Sequence, residues 1–377
     1  MYFLARDAYM SFITAQRLVT MNGLDIECRY LEGSRFAWRM AEYHMISNEE
    51  ILDKICLGGV HVTLRKILSR GGLLPEEIEK IAKGKGYIDV LDKALSYSEA
   101  VEYKVILRDD DELFRMIRSH SIKAYDLTYD YFKQEGLLEN DKIIIVDSGW
   151  VGSMQQTLER LTEKKVEGYY FGLYELPKHV ERTNYHSFFF SPYKDIERKV
   201  CFSNCLYEAV FSACDEMTCG YVREKAHVIP QKETVDNPNS DRIKDNIEIL
   251  NTLLEDSEYL DGIEHTSKNR YTRELQRIMS HPSKEEAEYI GSYWFSDDVN
   301  QNSLQEIAVP LTISEVRNTH ALKRALIMSG HSTEKLKDSA WLEGSIVRCG
   351  KNVNYHLWHC RWYKRLIYIR KCLMNRG

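Results

Sequence analysis

Hydrophobic positions fall into two alternating rhythms over the first half of the chain. Ile143, Ile144, Ile145 and Val146 are consecutive β-branched residues, the run that a parallel strand covered on both faces demands. Tyr2 to Ala5 and Ile26 to Leu31 predict two further strands, and Val166 to Tyr174 a fourth. Between them the apolar spacing widens to three to five residues, through Tyr9, Phe12, Ile13 and Leu18, then Phe36, Met40 and Tyr43, then Ala124 to Phe132, as core-facing helices require. Residues 49–119 read as helical almost throughout, with Pro75 at a helix start and Gly71, Gly72 and Gly84 at stops. Alternating strands and helices predict an α/β fold, a doubly wound, mostly parallel sheet carrying a helical insertion. The resulting plan is a Rossmann-like domain over 1–227 and a linker over 228–246, rich in Pro230, Asn237, Pro238, Asn239 and Ser240. A mainly helical C-terminal region over 247–377 follows.

Composition narrows the setting. The formal charge of −6 removes the electrostatic case for nucleic-acid binding, and 44% hydrophobic residues suffice for a real core. Nine cysteines without small-scaffold spacing, and no apolar run near the ~18 residues of a membrane span, point to a reducing cytoplasm. Cys201, Cys205, Cys214 and Cys219 are spaced too loosely for a structural zinc hairpin. The tail changes the picture locally, because its last thirty residues contain no acid. On a helical wheel Trp358, Trp362, Leu366, Ile369 and Leu373 share one face, flanked by Arg361, Lys364, Arg365 and Lys371. Residues 355–376 thus fit either a peripheral helix on the anionic inner face of a membrane or a helix docked on the protein's own acidic body.

The candidate chemistry sits at strand ends. Asp147 closes the Ile143 strand, and ligands of open α/β sheets bind beyond the strands' carboxyl ends. Gly149 and Gly152 permit a loop to wrap a phosphate, and Ser153 is placed to cap a helix through Met154, Leu158 and Leu161 whose free N–H groups attract anions. Arg6 and Asp7 end the first strand in the same manner. If the two strands are neighbours, Asp7, Asp147 and Arg6 converge on one crevice suited to hydroxyls and phosphate. The bland readings are an ordinary strand-to-helix turn at 147–153 and a surface ion pair at Arg6. Glu208, Asp215 and Glu216 are either additional crevice groups or a solvated face. Magnesium suits two aspartates facing a phosphate. No aspartate pair two residues apart follows either strand, and no Gly-Lys-Ser/Thr phosphate loop or His-Glu-x-x-His helix occurs.

The segments YFLARDAYM, YLEGSR, IIIVDSGWVGSMQQTL and GYYFGLY resemble the region downstream of a haloacid-dehalogenase-type hydrolase domain in bacterial proteins of capsule and surface-polysaccharide biosynthesis. Arg6, Asp7, Ser34, Arg35, Asp147, Gly149, Trp150, Gly152 and Gln155 match the pattern, and Ala8 stands where it has glycine. The resemblance implies that a hydrolase half with its aspartate pair is missing ahead of Met1, so that a hydrolase label would not transfer as catalysis. A weaker likeness is to phosphoribosyltransferases, which implies Asp147 on ribose hydroxyls and residues 149–153 on a phosphate, with Ser148 where that family keeps a second acid. Together these imply a cytoplasmic protein that binds a phosphorylated sugar or nucleotide-sugar and acts in surface-glycan synthesis, as a transferase. A non-catalytic scaffold and a hydrolase fragment are the alternatives. The expected roles are Asp7 and Asp147 for catalysis and magnesium, and Arg6, Ser34, Arg35, Ser148, Gly149, Gly152, Ser153 and Gln155 for phosphate or substrate.

Overall fold

The computed structural model describes every residue outside 57–61, 96, 234–236, 257, 261, 263–266, 296–303 and 375–377. The strands are β1 (Tyr2–Leu4), β2 (Arg29–Leu31), β3 (Lys142–Trp150), β4 (Lys165–Leu173) and β5 (Tyr185–Phe190). They form one parallel sheet in the order β2-β1-β3-β4-β5. The chain runs outward from β1 through α1 (Tyr9–Asn22) to β2, then crosses back over β1 to enter β3. The direction of winding therefore reverses between β1 and β3, and there the loops after neighbouring strands part to leave a crevice.

The β-branched run builds the centre. Ile143 and Ile145 are buried against Trp38 of α2 (Arg35–Glu42), Tyr131 and Phe132 of α7 (Asp111–Gln134), and Leu158 and Leu161 of α8 (Ser153–Thr162). Burying one such aliphatic side chain contributes about 1.5–3 kcal/mol. The β2 strand is shorter than the pattern predicts, beginning at Arg29 rather than Ile26, because β1 offers it only three pairing residues.

The insertion consists of α3 (Asn48–Ile55), α4 (Leu64–Arg70), α5 (Pro75–Lys85) and α6 (Tyr97–Leu107), with a core of its own around Leu52, Ile67, Ile81 and Phe114. Helix α7 joins it to the sheet, since Leu113, Phe114 and Ile117 lie in the insertion's core while Tyr131 and Phe132 lie in the sheet's.

The stretch expected as a linker is largely structured. After α9 (Ile196–Val200) and α10 (Asn204–Phe211), strands β6 (Met217–Glu224) and β7 (His227–Glu233) form an antiparallel hairpin, and α11 (Ser240–Glu255) follows. Pro230 pairs opposite Tyr221 in a two-stranded ladder, where a strand has a free edge and a missing N–H is tolerated. Tyr221 ties the hairpin to the sheet core, accepting from Trp38 Nε1 at 2.7 Å and stacking on Tyr131. Asn239 exchanges two hydrogen bonds with the backbone of Trp294, so the turn residues at 237–239 anchor α11 instead of forming a tether. Residues 234–236 of that expectation lie outside the described residues.

The C-terminal helix, Val353–Met374, docks by its basic side. Lys364 pairs with Glu343 at 2.6 Å, Arg365 with Glu197 at 2.6 Å and Lys371 with Glu175 at 3.8 Å, while Tyr368 stacks on Tyr174. The apolar face predicted from the sequence points outward, with Trp358 55% and Trp362 46% exposed, and with Leu366, Ile369 and Leu373 exposed along the same stripe. Residues 375 and 376 of the predicted segment lie outside the described residues. Among those described, no helix is long and apolar enough to cross a membrane.

Candidate functional site

A crevice of about 640 Å³ opens at the carboxyl ends of β1 and β3. Parallel pairing sets Tyr2 against Ile145 and Phe3 against Val146, so Leu4, the last residue of β1, stands level with Asp147; the turn after β1 brings Asp7 to the same rim, while β3 runs on beside β4 to Trp150. Arg6, Ser34, Arg35, Gly149, Gly152 and Ser153 line it too. Residues 147 and 7, separated by most of the α/β body in sequence, thus share one hollow.

Local backbone explains how the loops reach it. Arg6 adopts φ 71°, in the left-handed region that costs a non-glycine residue about 1–2 kcal/mol. It is held there from both sides, its N–H donating to Tyr30 Oη at 2.7 Å and its carbonyl accepting from Ala213 N–H at 3.0 Å. Gly149 has φ 128°, and a Cβ there would lie 2.0 Å from the carbonyl oxygen of Gly172 on β4. Gly152, at φ 72°, is the residue that caps α8, so Ser153 is the first helical residue and not the cap expected from the sequence. No side chain caps this helix, which leaves its first N–H groups beside Ser153 and Met154 at the crevice wall.

Three of the expected binding residues are turned away from the crevice or committed to internal hydrogen bonds. Successive strand side chains alternate between faces, so with Asp147 in the crevice Ser148 is turned away and buried. Gln155 is fully buried beneath β4, donating to Val166 O at 2.8 Å and Asn184 O at 3.2 Å and accepting from Tyr170 Oη at 2.9 Å. Gly168 makes room for it, since a Cβ there would stand 2.1 Å from Gln155 Oε1. Ser34 does line the crevice, but its hydroxyl caps α2 by accepting from Ala37 N–H at 3.0 Å and donates to Thr218 O at 2.6 Å. Gln155 and Ser34 are therefore structural polar groups in this fold.

The floor carries clustered carboxylates. The nearby backbone N–H groups of Ser148 and Gly149 favour the ionised form of Asp147, yet burial, and after it the charge of Asp7, pushes its pKa up to about 7. Glu208 of α10 accepts from Trp150 Nε1, and burial followed by Asp7 pushes it up to about 8. Asp7 itself accepts from Ser212 Oγ at 2.6 Å. Asp147 and Glu208, raised by burial and by the charge of Asp7, hold their protons near neutral pH, which suits proton transfer to or from a hydroxyl. Asp215 and Glu216 line the outer part, and Asp215 accepts from Tyr30 Oη at 2.8 Å. Glu208 and these two acids are thus crevice groups and not merely a solvated face.

The crevice also has a cationic wall, formed by Arg35 and Arg39 of α2, Lys54 of α3 and Arg70 of α4. Of these only Arg35 was expected. Arg39 repeats Arg35 one helical turn on, a signal present in the sequence, whereas Lys54 and Arg70 come from the insertion, whose position over the sheet no local pattern reveals. For a metal, Asp7 and Asp147 offer carboxylate oxygens to which phosphate and water would add, the mixed shell magnesium accepts. Among the described residues no group of three or more His, Cys, Asp or Glu side chains forms a metal cage, and the loosely spaced cysteines are likewise not assembled into one. No protein-family model matches the chain, and none of the curated proteins compared with it matches.

Proposed function

We propose that the chain binds a phosphorylated sugar or nucleotide-sugar in the crevice beyond β1 and β3 and serves bacterial surface-polysaccharide synthesis as a transferase. One observation carries the reading: the raised carboxyls of Asp147 and Glu208 and the cations of Arg35, Arg39, Lys54 and Arg70 line a single hollow at the sheet's switch point. Sugar hydroxyls pair with Asp7 and Asp147, phosphate with Arg35, the cationic wall and the first turn of α8, and Glu208 or Asp147 accepts an acceptor's proton. Asp7 and Asp147 would hold a magnesium ion there, and it would supply neutralisation of the phosphate charge.

The test is thermal shift of the full chain with sugar phosphates and nucleotide-sugars, each with and without magnesium. Stabilisation lost in Asp147→Asn is the expected result. No response to any compound in the wild-type chain would refute it. Attachment to the cytoplasmic face of a membrane is a second proposal, favoured by the outward stripe of Trp358, Trp362, Leu366 and Leu373. Co-sedimentation with anionic vesicles that is lost in Trp358→Ser/Trp362→Ser supports it, and equal sedimentation of both proteins refutes it.

A further inference from the structure

The cationic wall specifies more than a generic anion. Lys54 Nζ lies 3.0 Å from Glu42 Oε2, while the other oxygen of Glu42 binds Arg160 Nη1 at 2.6 Å and Thr157 donates to Oε2 as well. Glu42 is completely buried, so its charge is committed to that network. No carboxylate is bonded to Arg35 or to Arg39 among the described residues. Burial lowers the proton affinity of Arg39, and the neighbouring charges of Arg35 and Arg70 lower it further. Two guanidinium groups without a carboxylate partner, on one side of a concave site, mark where a ligand's negative charge belongs.

Their arrangement gives that charge a shape. Arg35 and Arg39 are four residues apart on α2, one above the other and about 6 Å along the axis. Arg35 is exposed at the mouth and close enough to the carboxylates to pull down the proton affinities of both Asp147 and Glu208. Arg39 is deeper, coupled to Lys54 and Arg70. Each planar fork matches one phosphate, so consecutive phosphates would lie along α2 from the carboxylate floor toward the insertion.

We infer that Arg35 and Arg39, backed by Lys54 and Arg70, form a diphosphate clamp, so that the ligand of this crevice is a nucleoside-diphosphate sugar and not a sugar monophosphate. The inference rests on the proposed sugar-phosphate site and narrows it. It places the sugar at Asp7 and Asp147, and it makes the insertion's helices the source of specificity.

Isothermal titration of the full chain with inorganic pyrophosphate and with orthophosphate, in magnesium-free buffer, tests it. Pyrophosphate is expected to bind at least tenfold more tightly. In Arg39→Gln the two anions are expected to differ by less than about threefold, and Arg35→Gln, a change at an exposed position, should reduce the preference in the same direction. A preference that survives in both variants overturns the clamp. Equal binding of both anions to the wild-type chain also overturns it but leaves a monophosphate site standing. Absence of binding by either anion at millimolar concentration overturns both the clamp and the proposed function.

Discussion

Replacing Asp147 by asparagine keeps the side chain's shape and removes its ionisation, which isolates the cost of holding a carboxylate beside Asp7. In the folded chain its pKa rises from 3.8 to about 7, first through burial and then through Asp7. A carboxylate raised in this way is protonated in the folded state, but not in the unfolded state, across the interval between those values. Its contribution to stability is full below pH 4 and is lost as pH climbs through 7. Each tenfold change in proton affinity corresponds to about 1.4 kcal/mol, so the whole interval holds about 4 kcal/mol. Part of that is screened because the crevice opens to water, and part has already been lost by pH 5. About 2 kcal/mol of differential stability between pH 5 and pH 8.5 is therefore expected. Urea titrations of wild type and Asp147→Asn at both pH values measure it directly. The variant should gain on the wild type as pH rises, by about 2 kcal/mol across the window. A stability difference independent of pH, or one that moves against the variant as pH rises, would show that Asp147 is an ordinary solvated carboxylate with no crowded neighbour.

Three further outcomes follow from the geometry. Gly149→Ala should cost about 3 kcal/mol or more, read as a fall in Tm, because the new methyl would meet the Gly172 carbonyl at 2.0 Å and φ 128° is closed to alanine. Gln155→Leu should cost about 2 kcal/mol in urea, by stranding the carbonyl of Val166 and the hydroxyl of Tyr170, while the anion affinity of the folded fraction stays within about twofold. On the C-terminal helix, Lys364→Met should destabilise by about 3 kcal/mol because its partner Glu343 is only 1% exposed, whereas Trp362→Ser should change stability by less than about 0.5 kcal/mol in the same assay.

The central strands were legible because a run of β-branched residues fits little besides a buried strand. Ile143 to Val146 demanded a doubly covered strand, and Asp147 after them marked the rim, although the strand itself runs on to Trp150 because β4 continues to pair with it. The shared crevice was legible only as a condition, since nothing local places β1 beside β3. Long-range pairing decides that, and with it the meaning of Asp7. The errors have physical causes as well. Gln155 carries a motif-like spacing, yet the third residue of a helix faces inward as readily as outward, and here glycine at 168 gave it a polar niche under the sheet. Ser153 fits the composition of a helix cap, but the positive φ of Gly152 takes the position one residue earlier. Pro230 and Asn239 read as linker residues because turn chemistry does not distinguish a tether from a hairpin that leads into an anchored helix. Strand β5 went unseen since its sequence, Tyr185 to Phe190, has neither flanking glycine nor strict alternation. The basic flank of the C-terminal helix was recognised, while the acids that receive it, Glu175, Glu197 and Glu343, are scattered along the chain and are gathered only by folding.

A crystal structure of the full chain grown with a saturating nucleoside-diphosphate sugar puts the shared crevice to the hardest trial. Ligand density running from Asp7 and Asp147 along the Arg35 side of α2 toward Arg39 is the expected result. Density confined to another surface, or a crevice occupied only by solvent while the compound is bound elsewhere, would contradict it.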